Sequence, residues 1–320
     1  MLEADLAMLP EAVRRWRPLD EVRSARAAWI DGQLACCENR GIATNRAAMV
    51  MAGAPRDFQN VIVEVAGART LCGIRHYGGD VNRPFVDLVA TTDAGAWRGE
   101  RLVETSAAAC RAYPAFHVPM TRVPVAGSEP PPLPPVEACD VRACIDQALV
   151  GSTLGEMLAR APECELPGVS LRATSVDEAM AFEADSYDAL AERALELSGS
   201  VRPSGLEEIE ACAEAGRVVN WYLEDEPERP AGLLCVQRLD FQAMDGFLVV
   251  EECVARWAAG RRSAAAAQRE LARVLIAEDG ANAALPMFGT ILGQNVASLT
   301  TARRAGRERI GAVWFLRHGA

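Results

Sequence analysis

Two adjacent carboxylates interrupt an otherwise apolar run, Phe247 to Val254, and their setting suggests proton chemistry. Successive side chains of a strand face opposite ways, so Glu251 and Glu252 cannot serve the same neighbour. A carboxylate buried on either face has a raised pKa and can take a proton from a nucleophile near neutral pH. The run leads through a short loop, Ala259-Gly260-Arg261-Arg262-Ser263-Ala264, into SAAAAQRELARVLIAE, a segment of strong helix propensity. A helix that begins there offers free amides and a positive dipole end, an anion site suited to a pyrophosphate. Gly260, Ser263 and Ala264 let the backbone come close, while Arg261 and Arg262 add charge-assisted donors. Further on, Asn295 precedes Val296-Ala297-Ser298 and suits a helix N-cap.

The elements that must position these residues follow from periodicity and punctuation. From Gly168 onward the pattern is a strand (VSLRATS), then a helix capped by Ser175 with Glu178 three residues later. A short helix ending at Gly216 follows, then three strands separated by EDEPERP and QAMDG, then helix, strand, helix and strand. The five prolines between Ala126 and Val136 favour a stiff spacer. Residues 139–162 have apolar spacing that reads as a helix, or two short ones, bridging the two domains. The expected division is therefore an N-terminal α+β domain over 1–125, a Pro-rich linker with its helix over 126–167, and a second domain over 168–320. The expected fold class is α+β, a mixed, mostly antiparallel sheet flanked by helices.

This order, with the loop after Val254 and the block FGTILGQNVASLTTARRAG, resembles the GNAT superfamily of acyl-CoA-dependent N-acyltransferases. The family's loop has a Val, five residues on an Arg or Gln, then two residues, Gly, any residue, and Gly or Ala. Val254 and Ala264 match, Ala259 and Arg262 depart from the pattern, and Gly260 fits a frequent extra glycine. The resemblance implies that acetyl-CoA or another acyl-CoA binds along Cys253 and Val254, over Ala259 to Ala264, and beside Asn295 and Ser298. It implies Glu251 or Glu252 as the base. A tyrosine often serves the family as general acid, and Ala302 stands in that register.

The N-terminal half echoes the same order. Residues 12–50 read as helical, and three strands, a helix and a strand follow up to Val125. Trp97-Arg98-Gly99-Glu100-Arg101 lies where an acyl-CoA loop would be, which suggests a second, degenerate GNAT-like unit in tandem, with a Gly-poor loop unsuited to the cosubstrate. His76, Tyr77 and Asp80 beside Gly78-Gly79 fit a pocket lining or a hairpin turn equally.

Composition narrows the classes of function. The net charge of −11, with no basic run longer than two residues, disfavours nucleic acid and suits a cationic substrate such as an amine. All 33 basic residues are arginine, and the Ala-rich composition fits a high-GC genome. Ten cysteines without Cys-x-x-Cys spacing and three histidines give no metal pattern and read as reduced thiols of a cytoplasmic protein. No apolar run is long enough to cross a membrane, and the first residues have no basic region ahead of an apolar one. The expectation is acyl transfer to the amine of a small molecule. An inactive GNAT scaffold that binds acyl-CoA or a partner, and an acyltransferase for a protein or carrier-bound substrate, stay open. So does the oligomeric state, with a homodimer as one option.

Overall fold

The computed structural model describes residues 1–50, 54–77, 80–135, 140–193, 201–241 and 244–319. The chain divides into two compact units, Met1–Gln147 with Gly311–Ala320, and Ala148–Ile310. Both are α+β, as the periodicity predicts.

In the first unit, helices α1 (Leu2–Ala7), α2 (Glu11–Trp16), α3 (Leu19–Ala35) and α4 (Arg40–Val50) precede the strands. Strands β1 (Val61–Val65), β2 (Ala68–His76) and β3 (Pro84–Thr91) form an antiparallel meander. Helix α5 (Gly99–Arg111) crosses to β4 (Met120–Ala126), which lies parallel to β3. The next neighbour of β4 is the far end of the chain: Gly311–Arg317 of β11 (Glu308–His318) pairs antiparallel with Ala126–Met120. Leu316 of that strand is fully buried with Phe58, Ile74, Leu88, Leu102 and Val123. The C-terminal residues therefore belong to the first unit's core, and the expected second domain over 168–320 is corrected at its end.

The expected linker and bridging helix also change. Val141–Thr153 is strand β5, and only Leu154–Ala159 is helical (α6). Val141, Asp146, Ala148 and Val150 are buried, so alternation prevails over the helical spacing that the apolar residues also allow. Thr153 and Glu156 then form a capping box that starts α6. The Pro-rich stretch is docked: the Gly99 amide donates to the Pro132 carbonyl at 2.9 Å, and Leu133 packs against the first unit's core. Residues 136–139 of the stretch lie outside the described residues.

The second unit follows the predicted order: β6 (Val169–Ala173), α7 (Val176–Arg193), α8 (Leu206–Ala215), β7 (Gly216–Leu223), β8 (Glu226–Phe241), β9 (Met244–Val254), α9 (Ser263–Glu278), β10 (Pro286–Leu292) and α10 (Val296–Ala305). The strands order as β10-β9-β8-β7-β6, with β9 and β10 parallel and the others antiparallel. Ser175 and Glu178 form the expected capping box, and the expected helix beyond Arg193 falls outside the described residues. Alternate residues divide between two layers. Trp221, Leu234, Val236 and Phe247 pack with Ala264, Leu271 and Leu275 of α9. Val218, Leu233, Cys235 and Cys253 pack with Ala179 of α7 and Ile209 and Cys212 of α8. Gly232 permits the first layer, since a Cβ there would lie 1.9 Å from the Trp221 ring.

Deleting residues 311–319 should expose β4 and empty the Leu316 site, a loss of roughly 1.5–3 kcal/mol for that side chain alone. Hydrogen exchange followed by mass spectrometry should show fast exchange across β1–β4 and little change in β7 and β8. Equal loss in both units, or in neither, would contradict the division.

Candidate functional site

The site is built where β9 leaves β10. The two strands pair at Phe247–Met287 and Leu248–Phe288, and there the recorded pairing ends. On the other side β9 stays paired with β8 as far as Val254, but Cys235 faces Glu251 while Val236 faces Val249. Val250 is thus an extra residue, a β-bulge, at the point where the parallel ladder stops. A bulge bends its strand and re-aims the side chains beyond it. The result is a wedge with its closed end at Leu248 and its open end toward the loop that follows Val254.

Beyond the bulge the side chains alternate. Glu251 and Cys253 face α7 and α8, whereas Glu252 and Val254 face α9. Glu251 is 6% exposed and surrounded by donors. Its carboxylate accepts from the Ser204 hydroxyl at 3.2 Å, the Ser204 amide at 3.3 Å and the Glu252 amide at 2.9 Å, and it lies 3.2 Å from the Tyr187 hydroxyl, whose one proton the Arg202 carbonyl also attracts at 2.9 Å. Beside it Glu183, also buried, accepts the Ser204 amide at 2.7 Å. Burial first, and then hydrogen bonding and repulsion from Glu251, push the Glu183 carboxyl up to about 7. Burial and Glu251 likewise hold Tyr187 well above the usual phenol range, so its hydroxyl stays a donor. Glu183 and Tyr187 lie four residues apart on one face of α7, and that spacing was the one signal in the sequence for them.

Glu252 belongs to a different group. It accepts a hydrogen bond from the Gln268 side chain of α9, and Arg307 attracts it electrostatically. Burial raises the Glu252 carboxyl despite both partners. The two adjacent glutamates therefore do separate work. Burial also raises the Cys253 thiol, which a nucleophilic thiolate would oppose.

The loop after β9 has the backbone of an anion site. Ala255 starts a single 3-10 turn, Arg256–Ala258, and Gly260 has φ +81 with open space around it. Arg262 has φ +62, a left-handed conformation that costs a non-glycine residue roughly 1–2 kcal/mol. It stands where the resembling pattern has a glycine, the residue that adopts this conformation freely. The amides of Gly260, Arg262, Ser263, Ala264 and Ala265 have no backbone acceptor among the described residues. The Ser263 hydroxyl, 1% exposed at the head of α9, has no hydrogen-bond partner there either. Buried polar groups without partners cost free energy, and an anion with several oxygens is what these donors fit. Ala259 lies exposed and contributes backbone only.

Three expected contributors are placed differently. Arg261 pairs with Asp225 and lies 5.8 Å from the Trp257 ring centroid, so it must leave that pair to meet a ligand. The pair is solvent-exposed and worth about 0–1 kcal/mol, a small obstacle. Arg262 reaches the Glu165 carbonyl at 3.5 Å. The Asn295 side chain accepts the Ser298 amide at 3.1 Å through its carbonyl oxygen and caps α10, as expected. Ala302 is fully buried, so its register holds no general acid.

The corresponding turn of the first unit is partly engaged. The amide that a ligand would need at the start of α5, that of Gly99, is already bonded to Pro132, and Arg101 is paired with Asp93. His76 stacks with Phe58 and Phe116 at 5.6 and 5.3 Å, an aromatic packing role; Gly78-Gly79 lie outside the described residues. Among the described residues no cluster of His, Cys, Asp or Glu could hold a metal, and no helix is long and apolar enough to cross a membrane.

No family model matches the sequence, and no curated protein matches it significantly. Similar solved structures include a GCN5-related N-acetyltransferase from Sphaerobacter thermophilus, 15% identical over 78% of each chain with a TM-score of 0.46. A GNAT-family acetyltransferase from Colwellia psychrerythraea is 10% identical over 85% of this chain and 90% of its own, with a TM-score of 0.48. A tandem GNAT protein from the clavulanic acid biosynthesis pathway is 14% identical over 98% of each chain, with a TM-score of 0.45. At these scores the likenesses stand beside the topology and add no argument to it; the strand order, the bulge and the crossover helix make the second unit GNAT-like.

Glu183 gives the site a pH signature. Its folded pKa of about 7 lies above the ordinary 4.5, so the folded state binds the extra proton between those values. Its contribution is full below pH ~4.5 and is lost as pH rises toward ~7, by at most about 1.4 kcal/mol per pH unit. Urea denaturation of Glu183→Gln across pH 5–8 should show a shallower decline than the parent over pH 5–7. Parallel curves would place the titration elsewhere.

Proposed function

We propose that the second unit moves an acyl group from acyl-CoA to the nitrogen of a small-molecule amine. The observation that supports this reading best is the wedge between β9 and β10 leading to a loop of free amides and the unpartnered Ser263 hydroxyl. The residues present fit the cosubstrate. Gly260 and Arg262 to Ala265 would hold the pyrophosphate, the exposed edge of β9 at Cys253 and Val254 would meet the pantetheine amides, and Asn295 with Ser298 would flank it. When bound, acyl-CoA supplies an activated thioester: the acyl carbon exchanges sulfur for nitrogen, the nitrogen gives up a proton, and the thiolate takes one up.

The chain's own work is proton handling and exclusion of water. Glu251 and Glu183 form a buried pair whose proton affinity is near neutrality through Glu183, where a general base is most effective. The Ser204 hydroxyl donates to Glu251, and the Tyr187 hydroxyl lies 3.2 Å from it and 2.9 Å from the Arg202 carbonyl, so Ser204 and Tyr187 are the groups that would pass the amine's proton to the pair. The Glu252 amide is already bonded to Glu251, which fixes the carboxylate against the strand. An acidic chain of net charge −11 suits a cationic acceptor. A second reading has one observation in its favour: with Ala302 buried, no side chain in that register protonates the thiolate, as in a scaffold that binds acyl-CoA without turnover.

Thermal shift with acetyl-CoA tests binding, because a ligand of the native state raises the melting temperature by mass action. Turnover against a panel of amines, read by mass spectrometry, separates the enzyme from the scaffold. Gly260→Asp should weaken acetyl-CoA at least about tenfold, or ~1.4 kcal/mol, because the new carboxylate repels the pyrophosphate. Unchanged affinity would remove the loop from the site.

Glu251→Gln should lower turnover by about 100- to 10,000-fold while acetyl-CoA affinity stays nearly constant. The parent's rate should rise with pH through an ionisation near 7, and Glu183→Gln should abolish that rise. Full turnover in the Glu251→Gln, Glu183→Gln double variant, below the amine's own pKa, would rule out this pair as the base.

A further inference from the structure

The side of the wedge that faces α9 carries a buried cation with no described acceptor. Arg307, which follows Gly306 at the end of α10, is 4% exposed. Its Nε has no hydrogen-bond partner, and its guanidinium makes no ion pair within contact distance among the described residues. The opposite charge that acts on it is Glu252, which is itself bonded to Gln268. Gln268 is itself fully buried, with its amide oxygen unpartnered. Burying a guanidinium without acceptors is costly. A guanidinium presents a planar fork of donors that matches a carboxylate.

The position of this cation selects the ligand that could complete it. A Cβ built on Gly289 of β10 would lie 3.5 Å from Arg307 Nη1 and 3.4 Å from the Val249 carbonyl. Gly289 and Val249 directly follow the last paired residues of the two strands, so Arg307 stands at the closed end of the wedge. The phosphate-fitting amides stand at the open end, beyond Val254. A ligand anchored by its pyrophosphate at the loop and extended along β9 would bring its far end to Arg307, and in an acyl-CoA that end is the acyl group. Glu251 and its relay face the opposite side of β9, so an acceptor's own carboxylate is not the group that meets Arg307.

We propose that the second unit selects an acyl donor whose acyl group ends in a carboxylate, of the succinyl class, with Arg307 as the specificity-determining cation and Gln268 and Glu252 as the groups that position it. This rests on the acyl-CoA reading above. Glu252 is bonded to Gln268 and makes no ion pair with Arg307 among the described residues, which leaves the guanidinium fork open to an incoming anion. A neutral acyl chain would leave the buried charge without a partner.

The test measures binding to the full-length protein by titration calorimetry, without any amine, using CoA, acetyl-CoA, pentanoyl-CoA and succinyl-CoA. Succinyl-CoA should bind at least about tenfold tighter than pentanoyl-CoA, its neutral match in size, as a charge-assisted hydrogen bond warrants. Arg307→Gln should erase that preference and leave the affinity for CoA itself within about twofold. Arg307→Lys, which keeps the charge and loses the fork, should retain part of it. Equal binding of succinyl- and pentanoyl-CoA by the unaltered protein would overturn the proposal without any variant, and so would a preference that survives Arg307→Gln in folded protein. Failure of all four ligands, CoA included, would instead remove the acyl-CoA reading and this proposal with it.

Discussion

One extra residue in one strand governs the second unit. Val250 has no partner on β8, and it lies two residues beyond Leu248, where the strand's pairing with β10 ends. Parallel strands that stay paired satisfy their amides in the ladder. Strands that part leave those groups to find other partners, so a wedge between them is a place for an extended polar ligand. The bulge also sets which glutamate faces which layer, because a shift of one residue turns every later side chain to the other face. Without it, Glu251 would lie on the α9 side and Glu252 beneath α7.

The two faces of β9 solve different electrostatic problems. On the α7 side, two carboxylates share a buried space with Tyr187 and Ser204, and a proton near neutrality makes the arrangement tolerable. On the α9 side, a carboxylate bonded to an amide attracts a guanidinium without an ion pair between them among the described residues. The helix that covers this second group is anchored independently. Arg269, one residue after Gln268, donates to the carbonyls of Leu158 and Arg160 at 3.2 and 3.1 Å. Those are the open carbonyls at the end of α6, which a cation satisfies. Arg269 thus holds the register of α9 by bonding backbone.

Much of this was legible in the sequence. The order of elements in the second unit, the Ser175 and Asn295 caps, the helix start at Ser263 and the opposite orientation of Glu251 and Glu252 all follow from local rules: turn residues, capping boxes and period-two alternation. What escaped was long-range. Glu183, Tyr187 and Ser204 meet Glu251 only because α7 and the segment before α8 lie across the bulged strand. Arg307 reads as one more arginine in a run ending a helix, and only the fold buries it. Along Val141–Thr153 the apolar spacing serves helix and strand alike, and sheet neighbours far away in the chain decide between them, while Leu154–Ala159 is helical. The place of β11 was illegible for the same reason, since pairing with β4 is a tertiary choice.

That last pairing bears on how the chain is made. The first unit's helices and four strands are all encoded before residue 127, yet the strand that covers β4 begins past residue 307. A ribosome must translate the whole of 148–310 before that edge can close. Through that interval Met120–Ala126 presents open amides and carbonyls, the kind of edge that recruits strands from other chains. Residues Pro119 and Pro124, and the prolines that follow Ala126, interrupt this edge and deny a stray strand a full set of donors. Vectorial synthesis thus makes the nascent first unit a client for protection, and its own proline content supplies part of that protection.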